Sequence, residues 1–358
     1  MPSTLRVECL PARHGDCILV DYGPDAARHR LLIDAGPVTA YQDISRALSD
    51  HPSPSFDLGV VTHIDADHID GWLVLLQDGS FRVDPGDFWF NGWPQLMSEH
   101  TPDVFSPVQG TLLESLREGQ PWNVAFGGGP AVATEDHPLP RLPLPGNAEA
   151  ILIAPSPVEL RTLRRRWQKA LRDAGLDPND LDAARTRLAQ RKEYLPPLPR
   201  QDVFAAKRFG DDTSVANASS IAFVFEHGGR RILFTGDAQV RPLAAGLRHL
   251  AGEDGAVRVQ LDAMKVPHHG SMSNIDETIM SLIDCDRYLV STDGSHFGHP
   301  DAETIELIGS RGNRPDVHFN YRCPTTERWA TTQAQDRAGI RAFFPPDGAV
   351  LEFDVDPI

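Results

Sequence analysis

The chain is poor in cysteine and has no long apolar run. Its four cysteines, Cys9, Cys17, Cys285 and Cys323, include no Cys-x-x-Cys pair. That excludes a disulfide scaffold and a four-cysteine zinc site. Cys9 and Cys17 fall in apolar, strand-like stretches and read as core thiols, so a reducing cytoplasm is the expected compartment. No apolar run approaches the roughly 20 residues of a membrane span, so no membrane partner is expected. The segment Met1-Pro2-Ser3-Thr4-Leu5-Arg6 lacks the charged and apolar regions of a secretion signal. Positive charge is also scarce: 34 Lys and Arg stand against 50 Asp and Glu, a net charge of -16. An acidic surface of that kind argues against broad, nonspecific nucleic-acid binding. Only Val158 to Arg208 runs the other way, with 13 basic against 7 acidic residues, an excess of +6 that leaves -22 for the rest.

What is present is a large, soluble, globular composition. At 358 residues, 41% apolar and with a mean hydropathy of -0.31, the chain can bury a sizeable core. Leu5 to Leu10, Cys17 to Tyr22, Leu31 to Asp34 and Leu58 to Val61 read as strands, and Thr39 to Leu48 as a helix. Ala150 to Ala154, Ser220 to Phe225, Arg231 to Phe234, Ala263 to Val266, Tyr288 to Ser291 and Val350 to Phe353 read as further strands. Helices are expected near Val240 to Leu250, Ile275 to Ile283 and Ala302 to Ile308. Alternation of this kind predicts a layered α/β architecture. The stretch from Ser80 to Asn147 is rich in Pro, Gly and aromatics and reads as long, ordered loops. Val158 to Ala174 and Asn179 to Tyr194 read as two helices. The chain is therefore expected to be one domain over residues 1–358. Residues 80–210 would be an insertion of loops and a basic helical hairpin.

Four polar clusters follow apolar strands. The richest is Thr62-His63-Ile64-Asp65-Ala66-Asp67-His68, directly after Leu58 to Val61, with Ile69 onward reading as an apolar helix over the site. His63 and Asp65 alternate along extended backbone and can share a face. Phe234-Thr235-Gly236-Asp237 places a carboxylate after a second strand. Lys265-Val266-Pro267-His268-His269-Gly270-Ser271 places two imidazoles after a third. His296-Phe297-Gly298-His299-Pro300 adds two more. Four such clusters point to one converging metal site.

With these motifs in order, the chain resembles the metallo-β-lactamase-fold hydrolases over nearly its whole length outside about 80 to 210. The family pattern HxHxDH reads here His63-x-Asp65-x-Asp67-His68, with Asp in place of the second His. That variant, with the TGD, HHGS and GHP segments, resembles the metallo-β-lactamase domain of ComEC-type DNA-uptake proteins. His14-Gly15-Asp16-Cys17, Leu32-Ile33-Asp34-Ala35-Gly36 and Asn217-Ala218-Ser219-Ser220 resemble the same branch. The resemblance implies a four-layer αββα fold with an inserted helical hairpin and two divalent metal ions, Zn or Mn. It implies that His63 and Asp65 hold the first ion, Asp67 and His68 the second, that Asp237 bridges them and that His299 completes the second site. Asn217 stands where many members have a third His for the first ion, so that site would be weaker or draw on His268 or His269. Carboxylate in place of imidazole hardens the donor set toward Mn²⁺.

The expected chemistry is hydrolysis by a two-metal-activated hydroxide. Asp67 would orient it, and His268 or His269 would protonate the leaving group. Asn217, Ser219, Ser220 and Ser271 are candidate phosphate donors, with turn capping the competing role for the serines. Asp16 and Asp34 are expected to brace the ligand loops. The ComEC-like variant and the Arg-rich helix (Arg161, Arg164, Arg165, Arg166, Lys169, Arg172) both favour a phosphodiesterase or nuclease acting on nucleic acid or a nucleotide. A solvated helix face, or a docking surface for the chain's own acidic body, explains the arginines at least as well. Two other classes stay open: a hydrolase of a small ester, thioester or lactam at the same site, and a metal-bound module that recognises a partner without turnover. The sequence identifies no protein partner.

Overall fold

The computed structural model describes residues 4–49, 56–78, 86–97, 107–177, 179–194, 213–346 and 350–355. Two mixed sheets form its centre. The first contains β1 (Thr4–Cys9), β2 (Ile18–Gly23), β3 (His29–Ile33), β4 (Leu58–Val60), β5 (Asp87–Trp89) and the late strand β16 (Leu351–Asp354), in the order β16-β1-β2-β3-β4-β5. The second runs β15-β14-β13-β11-β9-β8-β7-β6. Its members are β6 (Arg141–Leu144), β7 (Ala148–Ala154), β8 (Ala222–His227), β9 (Arg230–Phe234), β11 (Ala263–Lys265), β13 (Arg287–Val290), β14 (Asp316–Phe319) and β15 (Arg341–Phe343). A small parallel pair, β10 (Val259–Leu261) and β12 (Ile283–Cys285), stands apart.

Side-chain alternation explains the layering. In the first sheet Val20, Tyr22, Leu31, Ile33 and Trp89 enter the core shared with the second sheet. Leu19, Leu32 and Phe88 point the other way, into a second core. Helices α1 (Tyr41–Ser49) and α2 (Ala66–Leu75) close that core through Ile44, Leu48, Trp72 and Leu73. The second sheet is covered on its far side by a helix over Val240–Glu253 through Leu243, Leu247 and Leu250. That helix lies close on β7: a Cβ on Gly246 would meet the Ile153 carbonyl oxygen at 2.1 Å. The order is helix, sheet, sheet, helix, the four-layer αββα arrangement of the metallo-β-lactamase fold.

The region from 80 to 147 is less loop-like than its composition predicts. Helices α3 (Trp93–Met97) and α4 (Pro107–Arg117) lie in it, and Leu112 and Leu113 of α4 are fully buried. Pro107 fits the first turn of a helix, where its missing N–H costs nothing. Gly110 is needed because the Trp167 ring occupies the space a Cβ would take, 2.4 Å away. The two expected helices are present as α5 (Pro157–Asp173) and α6 (Leu181–Gln190). α5 packs on α3 and α4, and α6 packs on α4. Their apolar residues Leu163, Trp167, Leu171 and Leu188 share the core of α1 and α2, so this segment thickens the first helical layer. Arg164, one of the arginines of this helix, is buried, whereas Arg165 is exposed.

The strand directions gather the polar clusters. β9, β11 and β13 are parallel neighbours, so the loops after Phe234, Lys265 and Val290 leave from one edge of the sheet. The loop after β4 reaches the same place. The Ile221 N–H donates to the Thr62 carbonyl at 2.8 Å. A Cβ on Gly236 would sit 2.8 Å from Thr62 Cβ, so the Thr235-Gly236-Asp237 turn lies against the His63 loop only because residue 236 is glycine.

Candidate metal centre

Asp237 is the hub. One of its oxygens, Oδ2, lies 3.4 Å from His68 Nε2, 3.6 Å from His269 Nε2, 3.7 Å from His268 Nε2 and 3.9 Å from His63 Nε2. Asp67 Oδ2 joins at 3.5 Å from His269 Nε2, and Asp65 Oδ2 lies 3.6 Å from His63 Nε2. Asp65 is the N-cap of α2, yet its side chain makes no capping bond. Its carboxylate turns toward His63 instead.

Each imidazole is aimed by a separate partner on its Nδ1. His68 Nδ1 donates to Asp34 Oδ2 at 2.7 Å. His63 Nδ1 donates to Thr62 Oγ1 at 3.0 Å, since that hydroxyl uses its own proton on Asp34 Oδ2 at 2.7 Å. His269 Nδ1 donates to the Ser291 carbonyl at 2.8 Å. His268 Nδ1 donates to Asn274 Oδ1 at 3.0 Å, and the Asn274 amide is fixed because its Nδ2 donates to the Asp237 and Ala238 carbonyls. With four Nδ1 protons so placed, four Nε2 lone pairs face inward, the tautomer that ligating histidines use. Asp34 also accepts from the Thr62 N–H at 2.8 Å, so its two oxygens take three hydrogen bonds from His68 and Thr62.

The electrostatics call for positive charge. Burial alone would raise the carboxyls of Asp16, Asp67 and Asp237. Lys265 and His269 beside Asp16, and the imidazoles beside the other two, instead hold all three below the usual range. Burial disfavours charge on His269, but Asp237 and Asp16 outweigh it and lift its pKa to about 10. His68 is raised by Asp237 and Asp34 against the same burial penalty. Without a cation, the field is answered by protons on imidazole. His68 Nε2, His269 Nε2 and Asp237 Oδ1 are buried and have no hydrogen-bond partner among the described residues. These orphaned atoms and the N/O donor chemistry fit divalent metal. Two overlapping donor sets, His63/His68/Asp237 and Asp67/His68/His269, each have ligand atoms within 4.8 Å of one another.

The backbone bears the strain that such an arrangement needs. Of the eight non-glycine residues with positive φ among those described, Arg13, Asp34, His268, His269 and Phe297 lie in loops bordering this cluster. His268 and His269 occupy left-handed space consecutively, at φ 47° and 55°, which turns both rings toward Asp237. Gly15 lets the Asp16 loop close on α2: a Cβ there would sit 1.9 Å from the Asp67 carbonyl oxygen. Strain gathered at one place marks a functional site.

The remaining expected residues are distributed unevenly. His299 does not join either donor set; its Nδ1 faces Asp301 at 3.4 Å and its ring lies 5.4 Å from that of His268. The imidazole that lies beside Asp67 Oδ2 is His269, turned inward by the left-handed backbone at 268–269. Asn217 is buried at the end of a short helix, Thr213–Ala218, with Nδ2 3.5 Å from His268 Nδ1. The serines are engaged in local structure. Ser219 Oγ donates to the Ala216 carbonyl, Ser220 Oγ accepts the Asp237 N–H, and Ser271 Oγ accepts the Ser273 N–H. Asp16 has Oδ2 2.7 Å from Lys265 Nζ and Oδ1 3.4 Å from His269 Nδ1.

Three contributors carry no role in the sequence reading: Thr62, Lys265 and Asn274. Lys265 had a signal, a cation at the end of the buried run Ala263–Lys265, where an unpaired ammonium is costly. Asn274 had none, since its role is set by where the chain folds back.

No family model matches the sequence, and no curated protein matches it. Among solved structures, the crystal structure of the metallo-beta-lactamase fold protein YhfI from Bacillus subtilis aligns over 99% of this chain and 100% of that chain, at 10% identity and a TM-score of 0.39. The fold assignment therefore rests on this chain's own layers and sheet order.

Proposed function

We propose that the chain is a metal-dependent hydrolase of phosphodiesters, with a two-ion centre built on Asp237. The observation that carries this reading is the convergence of four Nε2 atoms on one buried carboxylate, each aimed by its own Nδ1 partner. His63, Asp65, His68 and Asp237 would hold one ion; Asp67, His68 or His269, and Asp237 the other. When bound, such ions lower the pKa of a nearby water and stabilise charge on attacking and leaving oxygens.

The chain's own groups do the rest. Asp34, Thr62, Asn274 and the Ser291 carbonyl hold the Nδ1 proton of each imidazole in place, so Nε2 is the nitrogen that would give up its proton to an ion. Asp67, in the first turn of α2 and 23% exposed, is the carboxylate positioned to accept a hydrogen bond from an incoming water. His268 is the most open of the four imidazoles that reach Asp237, with a side chain 19% exposed. Having taken a second proton onto Nε2 from water, it would hand that proton to a leaving oxygen. Phosphodiester is favoured over carboxylic ester by the likeness of the Asp65 variant and the HHGS segment to the ComEC-type domain.

The test is reconstitution with Mn²⁺ or Zn²⁺, metal counting by mass spectrometry, and assays with bis-p-nitrophenyl phosphate, single-stranded DNA and a p-nitrophenyl carboxylic ester. Two ions per chain and turnover of the phosphodiesters are expected. Ester turnover alone would move the assignment to the carbon-ester class. Fewer than one ion per chain would end the two-metal reading.

A further inference from the structure

Phe297 stands at the mouth of the metal centre in a form that folding does not explain. It is 61% exposed even though one side of it meets the His296 ring edge-on, with centroids 4.0 Å apart. Its φ is +57°, and the Gly298 N–H donates across it to the His296 carbonyl at 2.7 Å. That is the strained form of the three-residue turn, unfavourable for a bulky side chain. An exposed ring held in a strained turn adds little to the core and lowers stability. The ring stands edge-on to that of His268, with centroids 6.5 Å apart, and is tilted by 39° to that of His299 at 6.0 Å. Met272, 55% exposed, follows His268 and His269 on the adjoining loop, tied to it where the Met272 N–H donates to Asp301 Oδ2 at 2.9 Å.

We propose that Phe297 is a stacking platform for an unpaired nucleobase next to the scissile phosphate. The substrate would then be a single-stranded nucleic acid or a short oligonucleotide. The inference rests on the phosphodiesterase reading and deepens it. A flat apolar ring beside the Asp237 cluster suits a ligand that joins a phosphate to an aromatic ring, and every nucleobase offers such a face. In a duplex both faces of each base are covered by neighbours, so only an unpaired base can lie on the ring.

The experiment measures binding, so it does not depend on turnover. A thymidine dinucleotide with a phosphorothioate linkage and its abasic counterpart are titrated calorimetrically into the full chain in Mn²⁺ buffer. Phe297→Ala should weaken the dinucleotide about tenfold, within the range of one base–aromatic stack. It should leave the abasic compound within about twofold, and Phe297→Trp should restore dinucleotide binding. Equal loss on both probes, no loss on either, or no binding of the dinucleotide by the wild-type chain overturns the proposal. Hydrolysis of the unmodified dinucleotide is scored separately. Base-dependent binding without hydrolysis would remove the phosphodiesterase reading and leave the platform standing.

Discussion

Two buried regions hold carboxylates in opposite states. At the candidate metal centre Asp16, Asp67 and Asp237 are kept below the usual carboxylate range, although burial pushes each of them up; Asp65, at its rim, is raised because burial outweighs the pull of His63. In the inserted layer Glu114 of α4 is as deeply buried, and there burial wins: its pKa rises to about 8, with only the Trp93 N–H lowering it. Burial is common to both, so it cannot be the mark of function. The difference is the partner set: four inward imidazoles and Lys265 in one place, a single backbone donor in the other. A carboxylate that recruits cations is a site; one that stays neutral is an internal polar group awaiting a partner.

Removing the hub should break the comparison most completely. Asp237→Ala takes away the one carboxylate that all four Nε2 atoms approach. Metal content should fall below one ion per chain, and affinity should drop by more than the roughly 10–100-fold typical of losing an outer brace. Retained stoichiometry, measured by mass spectrometry, would mean the hub is misplaced. The second effect lies in the other region. Glu114 has its folded pKa raised above the ordinary 4.5. Between about pH 4.5 and 8 the unfolded chain ionises it and the folded chain does not, so the unfolded state binds fewer protons. Stability should therefore fall as pH rises through that window, by at most about 1.4 kcal/mol per unit, and level off above it. Glu114→Gln should flatten the slope in chemical denaturation. An unchanged slope would show that Glu114 finds a cation after all and that the two regions do not differ.

The same contrast explains what the sequence could disclose. The strand ends at Val60, Phe234, Lys265 and Val290 are legible because apolar runs and polar turns alternate there, and parallel strands deliver their loops to one edge. The motif His63 to His68 is local, so its convergence needed only a strand followed by a helix. Helix α4 was hidden because Pro107 and Gly110 read as loop residues; their reasons, a first-turn position and the Trp167 ring, are tertiary. The approach of His269 to Asp67 was hidden for another reason. His269, like His299, follows a strand, and nothing in the residue order tells that the chain turns left-handed at 268–269. Asn274 is invisible for the same cause: its amide matters only where it meets His268 and the Asp237 carbonyl.

The braces allow a finer cut. Asp34→Asn keeps the size of the side chain and removes its charge. Asp34 accepts from His68 Nδ1, Thr62 Oγ1 and the Thr62 N–H, and an amide has only one oxygen to replace two. Metal affinity should fall about 10–100-fold, with near-native near-ultraviolet circular dichroism showing that the fold persists. Equal affinity would mean that His68 is aimed by packing alone.

The smallest expected effect supplies the control. Arg165 is exposed on α5, while its neighbour Arg164 is buried. An exposed charge has neither the burial of Glu114 nor the partners of Asp237. Arg165→Glu should therefore change stability by no more than about 0.5 kcal/mol, and a solvated side chain should leave single-stranded DNA affinity within twofold. The measurement that decides is the salt dependence of that affinity. For a single strand, each phosphate the protein ceases to neutralise makes the slope of log affinity against log salt shallower by about 0.7. A wild-type slope in Arg165→Glu keeps α5 out of the substrate path and confines recognition to the loops around Asp237. A shallower slope would extend the functional surface onto the inserted layer, and the metal centre and that layer would then belong to one binding face.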